Sequence, residues 1–362
     1  PLPDFPEQKK YHFPESMTYP LASFIPSQEV VKASIPGENG IADGAQIRSW
    51  IVYGCNIPLT IPNPAMVQKA MQSLDLLVAV DILPAEITGW ADVVLPECTF
   101  MERFDDLDVR PNRTPFVAIR QPVVDPMYSS KPGWWIAKNL AKRIQVNGSS
   151  LEKYFPFGDI EELLSRKAKA SGIDYKLLKE KGCLVKKVDT VYDNSASGTF
   201  GTPSKKIELY SKTLLELGFD PVPDYKPEEE PPEGYYRLLF GRHPAHTFSR
   251  TTNNSVALEI FPENELWIDS EMAKIHRVKE GSYVVLENQD GAKSGKIKVK
   301  LTNRIRQDCV YMVHGFGRSD RRITKGYGKG ASDSDLITRY KADPITGGTG
   351  MNVNFVTIVK VS

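Results

Sequence analysis

Two stretches of this chain concentrate side chains that bind anions and heterocycles. Leu238 to Asn254 reads Leu-Leu-Phe-Gly-Arg-His-Pro-Ala-His-Thr-Phe-Ser-Arg-Thr-Thr-Asn-Asn and holds two of the chain's five histidines. Arg242, His246, Thr247, Arg250 and Thr251 put NH and OH donors along one polar loop, which leaves an expected strand at Gly241. Donors this dense at the end of a buried strand suit a polyanion or a polar heterocycle. Composition alone equally allows a solvated connection between two strands. The second stretch is Asp343 to Asn354. Its Gly347 and Gly348 let the backbone approach a flat ring, and the amides of Asn352 and Asn354 can pair with a heterocycle's edge. Taken by itself, it is also an ordinary flexible turn.

Other chemistries find no support. There is no Ser-His-Asp arrangement, no carboxylate pair and no cluster of metal ligands, so no catalytic and no metal-ligating residue is assigned. The four cysteines (Cys55, Cys98, Cys183, Cys309) are far apart and form no Cys-x-x-Cys pair, which excludes a local zinc or iron–sulfur motif. A net charge of +1 gives no global field for nucleic acid or an anionic membrane, so any anion is bound by local groups. No apolar run approaches the ~20 residues needed to span a bilayer. The 362 residues suggest about two domains.

The elements that must position these loops are of two kinds. Residues 1–46 are Pro-rich and aperiodic, and read as an extended segment lying over a neighbouring surface. Residues 47–225 have an α/β pattern. A strand at 49–53 ends in Gly54-Cys55-Asn56, and Asn63-Pro64 opens a helix. A continuously apolar strand then runs from 75 to 81, and another, from 91 to 95, is expected in the core and stopped by Pro96. Strand, loop, helix and a strand ending in an acid make half of a dinucleotide-binding, Rossmann-like sheet. In that reading the Gly54–Asn56 loop brings backbone NH groups to a pyrophosphate, and Asp81 accepts from a ribose hydroxyl or guanine NH groups. An Asp after a buried strand is also an ordinary turn residue. Further helices are expected over 132–144, with its tryptophans in the core, and over 159–170 and 175–181. Arg110, Arg113 and Arg120 either face an anion or pair with the acids at 105–108. Residues 220–232 read as a linker. From about 235 to 362 the chain turns all-β. Six β-branched, alternating segments with one short helix at 270–276 suit a small closed barrel. His12 and His276 are expected on the surface.

Set side by side, these pieces resemble the molybdopterin oxidoreductases of the dimethyl-sulfoxide reductase family over about residues 47–362. Gly54-Cys55-Asn56-Ile57-Pro58 is similar to the family's Gly-x-Asn-Pro loop, with Ile57 interposed. Asp81, Glu86-Ile87-Thr88 and Ala91-Asp92-Val93-Val94-Leu95-Pro96 resemble its acid, Thr-Glu-Thr and Ala-Asp-Val-Val-Leu-Pro signature. Thr202-Pro203-Ser204-Lys205 resembles its Thr-Pro-Ser-Gly, with Lys205 where Gly would permit a left-handed turn. The 238–254 loop resembles the family's pterin-contacting segment, and Asp343–Asn354 its C-terminal pterin loop. The 97–121 variant points to the polysulfide and thiosulfate reductase branch.

The resemblance implies a fold: a partial α/β dinucleotide-binding region (47–225), then a double-psi β-barrel (235–362). It implies two molybdopterin guanine dinucleotides with molybdenum, contacted through Gly54, Asn56, Asp81, Thr88, Arg242, His246, Thr247, Arg250, Thr251, Gly347, Gly348, Asn352 and Asn354. His314-Gly315-Phe316-Gly317 and Tyr327 to Ser332 would flank the funnel to the metal. It further implies a [4Fe–4S] cluster and metal ligand in an N-terminal part without counterpart here. Export to the periplasm, an iron–sulfur electron-transfer subunit, a quinone-linked membrane subunit and a small inorganic sulfur substrate complete the expectation. Two other readings remain: a related reductase of arsenate or tetrathionate, and a non-catalytic module binding a guanine nucleotide or a partner protein.

Overall fold

The computed structural model describes residues 19–22, 26–38, 46–110, 114–146, 148–186, 200–222 and 224–361. These form two compact units. One covers Leu95–Lys226, and the other joins the stretch up to Val94 with Pro227 onward. The first strands of the α/β segment share a unit with the barrel.

In that unit, α1 (Ser27–Ala33) precedes β1 (Ser49–Tyr53), α2 (Ile57–Thr60), α3 (Pro64–Gln72), β2 (Leu76–Asp81), α4 (Glu86–Trp90) and β3 (Val93–Pro96), which leads out of it. The three strands form one sheet in the order β1-β2-β3, with β1 and β2 parallel in the register Val52↔Ala79. Asn63 starts α3 by accepting from the Met66 amide, and Pro64 occupies a position whose missing NH is not needed. Val31, Ile35, Val67 and Ala70 pack under Trp50, Val52 and Leu77. Two expectations are corrected here. Residues 27–33 are helical, because a Val-Val pair beneath the sheet outweighs the surrounding prolines. The strand at 93–96 is not a core strand. Val93 and Val94 are exposed, since β3 is an edge strand.

The barrel strands are β4 (Tyr236–Gly241), β5 (Glu265–Ile268), β6 (Tyr283–Asn288), β7 (Ile297–Leu301), β8 (Cys309–Val313) and β9 (Phe355–Lys360). They close in the order β5-β7-β6-β9-β4-β8. β4 with β8 and β5 with β7 are parallel; the other pairs are antiparallel. Alternation sends Leu238, Leu266, Ile268, Leu286, Val299 and Met312 into a fully buried interior. Two helices stand between strands: α5 (Ser255–Ile260), capped by Asn254 and not anticipated, and α6 (Ser270–Ile275), capped by Asp269.

The other unit holds a three-stranded sheet (Asp108–Arg110, Phe116–Ala118, Cys183–Val185) and helices at Gly133–Arg143, Ile160–Ala170 and Tyr175–Lys181. Leu164 and Leu178 bury against Ile119. Trp135 is exposed beneath Lys131 and not in the core. Arg110 pairs with Asp108 and Arg120 with Asp105, so the ion-pair reading holds for both; Arg113 lies outside the described residues. Lys205 does take a left-handed conformation (φ 59°). The Thr202 carbonyl accepts its amide and the Thr202 hydroxyl donates to the Lys206 carbonyl, so the turn holds it there. His276 is half-buried against the Tyr236 hydroxyl, 2.6 Å away, and burial lowers its pKa. His12 lies outside the described residues.

Candidate functional site

Four segments of the second unit meet at one place: 54–63, 86–89, 242–252 and 314–337. At the centre is Glu86, at the start of α4. Its carboxylate accepts from Arg318 Nε (2.9 Å) and Nη2 (2.8 Å), from the Ser319 amide (3.2 Å) and from Asn56 Nδ2 (2.7 Å). Burial alone would raise its pKa; the Arg318 hydrogen bonds and charge, then Asn56, outweigh that and hold it below the usual carboxylate range. Arg318 spends Nη1 on the Ser249 carbonyl (2.6 Å) and the Thr252 hydroxyl (3.0 Å). Arg322 donates to the Thr88 hydroxyl (3.2 Å) beside its own partner Asp320.

Next to this lies His314. Its Nδ1 donates to the buried Asp333 carboxylate at 2.7 Å, and its ring sits edge-on to Phe248 and near Phe240. Burial would lower the imidazole pKa, but the Asp333 hydrogen bond and charge raise it overall. Nε2 has no partner among the described residues. Asp335 keeps open surface, yet enough protein surrounds its carboxyl that desolvation, then the Asp333 charge, push it up to about 6. The intervening Ser334 hydroxyl donates to the Leu59 carbonyl at 2.6 Å, which ties this segment to the loop after β1.

Around the end of β4 is a depression of ≈ 380 Å³ lined by Arg242, His243, Pro244, Trp267, Arg304 and Tyr311, with Leu239, Ile305 and Val313. The Arg242 guanidinium stacks 4.6 Å above Phe248, and the Tyr311 hydroxyl donates to the Arg242 carbonyl. His243 stacks on Phe261 at 3.9 Å, and burial, then His246 and Lys300, lower its pKa. No acidic side chain lines the depression, and neither arginine has a carboxylate partner among the described residues. Two guanidinium groups without carboxylate partners among the described residues, in a depression also lined by Trp267 and Tyr311, suit an anion with a flat ring.

The structure sorts the sequence candidates. Arg242 lines the depression; Thr247 and Arg250 are exposed and are not among its lining residues. Gly54 is exposed at φ 58° at the end of β1, with open space where a side chain would be, and Asp81 caps the Ile82 amide at the end of β2. Other candidates turn inward. His246 Nε2 donates to the Phe261 carbonyl (2.8 Å) and its Nδ1 faces the Thr251 hydroxyl, which also accepts the Thr247 amide. Asn56 binds Glu86 and the Ile87 amide, and Thr88 bridges Ala85 and Arg322. Asn354, fully buried, binds the Arg339 amide and carbonyl and the Met351 carbonyl. Gly347 accepts from Gln28 and is covered by Tyr19 and Pro26 of the same chain; Gly348 is exposed. Asn352 accepts from Arg237 at the start of β4. Arg237 and Arg242 are five residues apart, about 16 Å along a strand. The two donor-rich loops therefore lie at opposite ends of β4.

A family model described as a molydopterin dinucleotide binding domain matches residues 236–355, and one described as molybdopterin oxidoreductase matches 29–143. The chain belongs to the molybdopterin oxidoreductase family. The thiosulfate reductase molybdopterin-containing subunit PhsA of Salmonella typhimurium is 28% identical over 328 residues, 83% of this chain and 42% of that protein. Dimethyl sulfoxide reductase DmsA of Escherichia coli is 24% identical over 79% of this chain and 38% of its own length. In fold, the chain is similar to acetylene hydratase from Pelobacter acetylenicus, with a TM-score of 0.73 at 20% identity over 98% of this chain and 53% of that one. The chain thus spans about half the length, or less, of the relatives it matches.

The residues present fit part of the family's cofactor. The acid-free depression at Arg242 and Arg304 has the charge and aromatic walls that a phosphate-bearing heterocycle needs, and the turn at Gly54 leaves its outer side open. Among the described residues no three metal-ligating side chains cluster. Sequence reasoning missed Arg304, Trp267, Arg318 and Asp333. Arg318 and Asp333 directly follow the marked stretches 314–317 and 327–332, but their partners Glu86 and His314 lie elsewhere in the chain, and Arg304 and Trp267 join Arg242 only in the folded depression.

Proposed function

We propose that this chain forms one part of a bis(molybdopterin guanine dinucleotide) site in a reductase that cleaves the S–S bond of thiosulfate or polysulfide with two electrons. The carrying observation is the acid-free, two-arginine depression at the end of β4, in a chain similar to a thiosulfate reductase subunit. Arg242 and Arg304 would hold cofactor phosphate or pterin oxygen, with Trp267 and Tyr311 as the flat wall. Gly54 and Asp81 would meet the other dinucleotide at the ends of β1 and β2, completing a Rossmann-like cradle, and the barrel is read as double-psi. When bound, the molybdenum cofactor supplies the two-electron redox chemistry. The Asp333 hydrogen bond and charge raise the His314 imidazole pKa and so favour its protonated form, while Phe240 and Phe248 pack against its ring.

On the same reading the whole enzyme is periplasmic, carries a [4Fe–4S] cluster and works with an iron–sulfur electron-transfer subunit and a quinone-linked membrane subunit. Molybdenum and released GMP per chain, measured on the full-length gene product, test the core of this. About one metal with two GMP is expected. Neither metal nor GMP would overturn it and favour a nucleotide- or partner-binding module. Turnover with thiosulfate, polysulfide, tetrathionate and arsenate then separates the acceptors.

A further inference from the structure

The Glu86–Arg318 ion pair spans 232 residues of sequence and is almost completely buried, with side-chain exposures of 5% and 3%. Burying both charges is costly unless every donor and acceptor is met. Here they are met by groups from both candidate cofactor loops. Asn56, in the turn after β1, donates to Glu86; Ser249 and Thr252, in the loop after β4, accept from Arg318; the Ser319 amide closes the set. A pair needed only to attach α4 would not reach into both loops. We infer that Glu86 and Arg318 are positioning residues that lock the 54–58 turn and the 248–252 turn together, so that the two loops meet a ligand as one rigid surface. Neither side chain is free to touch the ligand itself. Both act through Asn56, Ser249 and Thr252.

The test uses the full-length protein carrying Glu86→Gln, Arg318→Lys or Thr252→Val, with hydrogen exchange read by mass spectrometry. Opening of the pair is a local event, so it is visible apart from global unfolding. In Glu86→Gln and Arg318→Lys, amides in both turns should exchange about tenfold faster together while the barrel strands keep their protection. Thr252→Val, which leaves the ion pair intact, should show a smaller change of the same kind and keeps the test open if the charge variants do not fold. Exchange that quickens in one turn only, or in neither, would overturn the lock. Molybdenum and GMP content add a second readout, which rests on the proposed cofactor. A lock predicts that both fall by half or more in the two charge variants. Full retention with loosened turns would mean that the lock does not serve the cofactor. If the unaltered protein carries no metal or GMP, the cofactor reading fails, and the exchange result still decides the lock.

Discussion

The barrel and the β1-β2-β3 sheet are both rich in Val, Ile and Leu, yet they keep that surface from water in different ways. Every barrel strand has two neighbours, and the interior side chains of β4 to β8 are essentially unexposed. Among the described residues the small sheet has two open edges. Ile51, Tyr53, Leu76, Val93 and Val94 remain between 41% and 58% exposed, and one face rests on α1 and α3. A closed barrel solves its edge problem alone, whereas parallel strands are stable mainly when both faces are covered. The sheet therefore depends on what clamps it: α1 and α3 beneath, and the Arg318 and Arg322 side chains gripping α4.

The largest expected effect breaks the self-sufficient part. Ile268→Ala leaves a cavity in a fully buried interior and should cost about 2–5 kcal/mol. Ile51→Ala, on the open face of β1, should stay within about 0.5 kcal/mol. Urea denaturation of both variants gives the contrast directly. Equal losses would mean that Ile51 is covered in solution and that the comparison of the two regions is wrong.

Two left-handed glycines sharpen it. Gly317 (φ 69°) passes so close to the next segment that a side chain would sit 2.1 Å from the Ser332 nitrogen, whereas nothing lies within 4 Å at Gly54 (φ 58°). Gly317→Ala combines backbone strain with overpacking and should cost about 2–4 kcal/mol. Gly54→Ala meets only the strain, about 1 kcal/mol. Thermal melts of the two variants test this; a larger loss at Gly54 would mean that its open side is filled.

Much of the fold is legible in the sequence because its signals are local. Alternation marks all six barrel strands to within a few residues, and Asn63-Pro64 and Asp269 mark helix starts. What was not legible is set by distant partners. The exposure of Val93 depends on what covers β3, not on its own pattern. The helix at 255–260 hides in a Thr/Asn cluster, where Asn254 serves as a cap as readily as a loop residue. His246 and Asn354 have the residue types of a binding site, but His246 binds Phe261 and Asn354 binds Arg339, in neighbouring loops of their own domain. Donor type is visible in a sequence; whether the donor is already satisfied is not. The Glu86–Arg318 contact, across 232 residues, leaves no local trace beyond the acid itself.

The smallest effect concerns the seam between the two regions. Asp335 lies beside Asp333 on the segment that Ser334 ties to Leu59, and its carboxyl is raised from 3.8 to about 6. An acid raised on folding stabilises the fold fully below its unfolded value, and that contribution is lost as pH climbs from about 4 through 6. Unscreened, the shift would amount to about 3 kcal/mol, but Asp335 keeps open surface, and solvent screening cuts this to about 1 kcal/mol. His314 runs the same way: its raised value contributes stability below the ordinary histidine range that disappears as pH rises through the folded value. Asp335→Asn should therefore add about 1 kcal/mol at pH 7.5 and nothing at pH 4. The gain should appear first in the protection of amides 54–60 rather than in the barrel strands. A gain equal at both pH values would place the effect in packing and not in charge. Added protection confined to the barrel would mean that the 333–335 segment belongs to the barrel alone and does not brace the open sheet.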